Sequence, residues 1–88
     1  MLLRLSKGTT LTLVEGREIL FSVRTGESFG LNETAARMLK SSFESEPEQV
    51  ALQLAAEYGV SAAEIREDLD QLIGSLSRAK LIELVSPC

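Results

Sequence analysis

The sequence predicts an α+β domain in which a three-stranded antiparallel sheet is followed by three helices, in a winged helix-turn-helix-like order. Three observations carry this expectation. Apolar residues alternate with period two through the first third of the chain, in Leu11 and Leu13, in Ile19, Phe21 and Val23, and in Phe29 and Leu31. From Ala35 onward the apolar spacing changes to the three-and-four rhythm of helices. Each helical stretch also begins just after a residue whose side chain caps helix N termini, at Asn32, Ser45 and Ser61.

The elements follow in order. Leu11 and Leu13 alternate with Thr10, Thr12 and Val14, and Glu15-Gly16 supplies the turn into a second strand carrying Ile19, Phe21 and Val23. Arg24-Thr25-Gly26-Glu27 is a second tight reversal, and Phe29 and Leu31 continue the alternation in a short third strand. This meander is expected to place Ile19, Phe21, Val23, Phe29 and Leu31 on one face and Ser22, Arg24, Ser28 and Gly30 on the other, so that helices cover only the apolar side. Asn32 then caps a helix bearing Ala35, Ala36, Leu39 and Phe43. Ser45-Glu46-Pro47-Glu48 has capping-box spacing with Pro in the first turn, and Val50, Ala51, Leu54, Ala55 and Tyr58 form the stripe of a second helix that Gly59 ends. Ser61-Ala62-Ala63-Glu64 opens a third, with Ile65, Leu69, Leu72, Leu76 and Ala79 in line. Leu81 to Val85 reads as a terminal tail or a short strand. No repeat, linker or low-complexity segment interrupts the chain, so residues 1–88 read as one domain.

Composition narrows the function. With 88 residues, 44% hydrophobic and 25% charged, the chain can build one core. Its net charge of −4 gives no electrostatic reason to approach phosphate backbones, anionic lipid or an acidic partner. Met1 to Leu5 is too short for a secretory signal, and no stretch nears the roughly 18 apolar residues of a membrane span, so a cytoplasmic location is expected. Cys88 is alone, and with no His in the chain nothing activates it as a nucleophile; it reads as an incidental thiol.

A DNA-binding module would place the third helix in the major groove and need cations there. The first half of that helix carries Glu64, Glu67, Asp68 and Asp70 against a lone Arg66. Those carboxylates suit the positive end of the helix dipole, as Arg78 and Lys80 suit its negative end. Enzymatic chemistry finds no support either. There is no His or Cys pair for a metal, no Gly-rich phosphate loop, and Asp68 and Asp70 lie about 200 degrees apart around a helix. No cofactor is expected.

A binding module remains, and a three-stranded meander supplies the means through its unpaired edges. Ser28, Phe29 and Gly30 include neither Pro nor Lys to blunt the third strand, and Gly30 has no side chain to obstruct an approaching backbone. An extended peptide can add there as a fourth strand. Each main-chain hydrogen bond nets only about 0.5–1.5 kcal/mol, against about 1–2 kcal/mol to order each peptide residue, so side-chain pockets must decide affinity. The flank of the third helix bearing Ile73 is the candidate pocket wall.

The run "RTGESFGLNETAARML", followed by "VALQLAAEYGVSAAEIREDLDQLIGSL" and "LIEL", resembles the PqqD family, the precursor-peptide recognition elements of ribosomally made, modified peptides. The resemblance spans about residues 9–84, and Gly26 to Ala36 is its most specific piece. It implies a leader peptide held as an added strand in the cleft between the third strand and the third helix. Glu27, Ser28, Phe29, Gly30 and Leu31 would give the strand surface, and Leu69, Leu72, Ile73 and Leu76 with Arg66 the helical wall. The chain looks most like the small free-standing leader-binding proteins of lasso-peptide pathways, which hand the precursor peptide to a leader protease. The coenzyme PQQ pathway version, presenting its peptide to a radical SAM enzyme, is the close alternative.

Overall fold

A computed structural model describes residues 2–85; the reading of Cys88 falls outside them. The element order is β1 (Leu2–Leu5), β2 (Thr9–Val14), β3 (Arg17–Ser22), β4 (Ser28–Leu31), α1 (Glu33–Ser42), α2 (Pro47–Tyr58), α3 (Ala62–Arg78) and β5 (Ile82–Val85). The expected meander is the antiparallel sheet β2-β3-β4, and the expected helices are α1 to α3. A second, two-stranded sheet joins β1 to β5, pairing Leu2 with Val85 and Leu5 with Ile82. The sequence left β1 without an assignment because four apolar-rich residues carry too short an alternation to read alone. No helix among the described residues is long and apolar enough to cross a membrane.

Local chemistry explains most of the boundaries. Glu15 (φ 50) and Gly16 (φ 80) both adopt positive φ, which is what a two-residue hairpin with the sheet's own twist requires. The Asn32 side chain accepts the Ala35 N–H at 2.7 Å and starts α1 directly after β4. α2 departs from the expected capping box: its N-cap is Glu46, with Pro47 as the first helical residue, so Ser45 lies one position too early to cap. Gly59 (φ 67) closes α2 in the left-handed conformation, and the Ser61 hydroxyl accepts the Glu64 N–H at 3.2 Å to open α3. α2 and α3 are thus joined by a three-residue turn of helix-turn-helix character. Ser61→Ala is expected to lower stability by about 1 kcal/mol, a fall in Tm of about 4–8 °C for a domain this size, measurable by thermal denaturation.

The β3 faces are the reverse of the sequence expectation. Residues directly opposite in an antiparallel pair share a face, and Leu20 stands opposite both Leu11 and Phe29 while Ile19 stands opposite Gly30 and Phe21 opposite Ser28. Leu20 and Ser22 are therefore buried beneath the helices, and Phe21 and Val23 are exposed on the outer face. Apolar content alone points to Ile19, Phe21 and Val23 as the inner set, but the register of two hairpins decides which set turns inward. Ser22 tolerates burial because its polar groups are used: its N–H donates to the Glu27 carbonyl at 2.9 Å, and its hydroxyl accepts the Thr25 N–H at 3.3 Å.

Leu20, Leu39, Val50, Leu54, Leu69, Leu76 and Leu81 form the fully buried centre of the core, joined by Leu3 and Ile82 from the second sheet. Tyr58, expected on the inner stripe of α2, is 40% exposed because it lies in the last turn, beyond the layer that α3 covers.

Candidate peptide-binding edge and cleft

The order β2-β3-β4 leaves β4 at one edge, and the carboxy-terminal strand β5 pairs with β1 instead of covering it. The hydrogen-bond phase fixes which groups that edge offers. Hydrogen-bonded and non-hydrogen-bonded pairs alternate along an antiparallel ladder, and the Ser22 N–H reaches the Glu27 carbonyl. In the same register Leu20·Phe29 and Glu18·Leu31 are hydrogen-bonded pairs, while Phe21·Ser28 and Ile19·Gly30 are not. The amides and carbonyls of Ser28 and Gly30 therefore point away from β3, along the open edge. Both residues are exposed, and a Cβ built on Gly30 meets nothing within 4 Å.

Beside this edge lies a shallow cleft of about 490 Å³ between β4, the first turns of α1, and α3. Phe29, Ala35, Met38 and Leu72 give it apolar walls, and Asp68, Gln71 and Ser75 form its rim on α3. Asn32, whose side chain caps α1, and Thr34 complete the opposite rim. Such a site can take an apolar side chain from a segment whose main chain pairs with Ser28 and Gly30.

The expected site residues divide into five groups. Phe29 and Leu72 line the cleft, and Ser28 and Gly30 supply the edge. Glu27 lies in the turn before β4, its N–H donating to the Thr25 hydroxyl at 3.2 Å. Leu31, Leu69 and Leu76 are buried, Leu69 and Leu76 completely, so they support the walls from behind and present no surface. Arg66 and Ile73 occupy the other flank of α3, where they line a separate hollow with Glu46, Pro47 and Leu84, and Arg66 Nε donates to Asp70 at 3.0 Å. Relative to Leu72, Ile73 lies about 100 degrees to one side while Asp68 and Ser75 lie about 40 and 60 degrees to the other. On α3 this cleft is lined by Asp68, Gln71, Leu72 and Ser75, and the Ile73 flank lines the other hollow. Asp68, Leu72 and Ser75 have the spacing of one helix face, but nothing in the sequence says which flank meets β4.

The amino-terminal half of α3 is an exposed acidic surface: Glu64, Glu67, Asp68 and Asp70 face solvent, and the one cation among them is paired. Among the described residues no group of three or more His, Cys, Asp or Glu is placed to hold a metal ion.

Solved structures share this fold. A solved structure of lasso peptide synthetase B1 complexed with the leader peptide superposes with a TM-score of 0.88 at 26% identity, covering 96% of this chain and 100% of that one. TbiB1 in complex with the TbiA(beta) leader peptide gives 0.81 at 24% identity over 96% of this chain and 99% of that one. The solution structure of the PqqD truncation of Methylobacterium extorquens PqqCD, a stand-alone RiPP recognition element, gives 0.78 at 24% identity over 93% and 88%. At these last two identities the likeness is one of fold. No curated protein matches the chain. The family model described as Coenzyme PQQ synthesis protein D (PqqD) matches residues 18–82, from within β3 to the first residue of β5. Meander, three helices and open-edged cleft thus all fall within the matched span or directly beside it, and the chain belongs to the PqqD family.

Proposed function

We propose that this protein is a non-catalytic adaptor that binds the leader segment of a ribosomally made precursor peptide as a fourth strand on β4 and delivers it to a maturation enzyme, the leader protease of a lasso-peptide pathway. The observation that carries the reading is the placement of unpaired Ser28 and Gly30 main-chain groups beside a cleft walled by Phe29 and Leu72. Main-chain pairing supplies attraction that tolerates sequence variation, and the cleft selects one apolar side chain. Lasso peptide synthetase B1, which binds a leader peptide, supports the reading by matching along its whole length. Tethering the leader raises the local concentration of the precursor at the partner enzyme without any chemistry by the adaptor itself.

The test is a calorimetric titration with the synthetic leader of a precursor peptide sought among the reading frames that neighbour the gene. Saturable one-to-one binding with Kd in the micromolar range or tighter, about −8 kcal/mol, is expected. Absence of saturable binding to that leader, or a preference for duplex DNA with a steep salt dependence, would overturn the proposal.

A further inference from the structure

We infer that the pocket where the two sheets meet is a subsite for a carboxylate side chain of the bound peptide. The inference rests on strand addition at β4. The pocket, of about 430 Å³, lies under the end of α3 and gathers three cations from three separate turns: Lys7 between β1 and β2, Arg24 between β3 and β4, and Lys80 between α3 and β5. In a chain of net charge −4 this is a local reversal of sign. None of the three is ion-paired among the described residues. The one carboxylate in the lining, Glu83, is held by Arg4 at 2.8 Å.

Two of the cations are placed with some conformational constraint. The stem of Arg24 lies against the bare backbone of Gly8, where an added Cβ would come within 2.8 Å of the Arg24 Cγ. Lys80 has a φ of 60, in the position after a helix where glycine sits without strain. A lysine held there, lining a pocket with two other cations, points to a use for its charge.

The class of anion follows from the side chains and from how it arrives. Thr25 N–H donates to the Ser22 hydroxyl, Gly26 N–H to the Ser22 carbonyl, Lys80 N–H to the Ser77 carbonyl, and Ser6 N–H to the Leu81 carbonyl. With these four main-chain donors engaged, an anion in the pocket is met chiefly by side chains. What remains is long cationic side chains and the hydroxyls of Ser6, Thr25 and Ser77, which suit a singly charged carboxylate carried in on a chain. Arg24 and Thr25 lie in the turn directly before β4. A peptide strand running past the Ser28 end of β4 comes abreast of that turn within about three residues, at roughly 3.3 Å each.

Lys80→Gly separates this role from a structural one, since it relieves the strained φ while removing the charge. Its Tm is expected to hold or rise, and its affinity for the same synthetic leader to fall about 3-fold at low salt, with the gap closing near 1 M NaCl. A leader whose acidic residue beyond the added strand is changed to the amide should lose a similar factor and show no further loss with Lys80→Gly. Unchanged affinity in Lys80→Gly and in Lys7→Ala/Arg24→Gln, while Phe29→Ala still binds poorly, overturns the subsite and leaves strand addition standing. No binding by the unsubstituted chain overturns both. A leader without an acidic residue in that region, or competition by inorganic phosphate that the amide leader feels equally, also overturns the carboxylate subsite.

Discussion

Gly30→Pro is expected to weaken leader binding by about 10- to 100-fold while leaving the protein folded. The Gly30 amide faces the open edge, so proline removes no hydrogen bond from the β3–β4 ladder. It does remove a donor that an added strand needs, and its ring stands in the path of the approaching backbone. A peptide carbonyl left unpaired by that loss costs about 1–3 kcal/mol, roughly 5- to 150-fold, which brackets the expected range. Phe29→Pro is the informative contrast: the Phe29 amide faces β3, so proline there breaks the ladder and should lower Tm sharply. Circular dichroism and thermal denaturation separate the two variants before any titration. Equal loss of fold in both would show that the edge phase is misassigned, and full affinity in a folded Gly30→Pro variant would place the peptide elsewhere.

Leu76→Ala is expected to cost about 2–5 kcal/mol of stability, a fall in Tm on the order of 10–30 °C, with little change in leader affinity per folded molecule. Leu76 is completely buried on the α3 stripe, so shortening it leaves a cavity in the core and no gap in the cleft. Leu72 is nearly as buried yet its outer edge lines the cleft, so Leu72→Ala should lower both stability and affinity. The two leucines lie one turn apart on the same helix, and measuring stability and affinity in both assigns each its part. A Leu76→Ala variant that binds many-fold more weakly below its Tm would mean that the cleft extends deeper than its lining residues indicate.

Caps and turns were legible in the sequence because their causes are local. Asn32, Gly59 and Ser61 act through hydrogen bonds or dihedral preferences spanning a few residues, and each does in the structure what its type predicts. Ser45 misled by one position, since proline fixes the first helical residue and so the cap immediately before it. Faces were harder to read. Ile19, Phe21 and Val23 are more apolar than Glu18, Leu20 and Ser22, yet pairing with β2 and β4 turns Leu20 and Ser22 inward. A single residue of register inverts a whole strand, and no property of β3 alone reports it. The strand β1 was invisible for a related reason, because its partner β5 lies at the far end of the chain.

By itself the sequence determined the order of the meander and three helices, where helices start and stop, and that β4 carries nothing to blunt an edge. Short-range forces act between neighbours in the chain, and those neighbours are written side by side. The tertiary structure alone decided which flank of α3 faces β4, placing Asp68, Gln71, Leu72 and Ser75 at the cleft and Arg66 and Ile73 away from it. It alone gathered Lys7, Arg24 and Lys80 into one pocket. A helix carries two equivalent flanks beside its buried stripe, and only its packing against other elements breaks that symmetry.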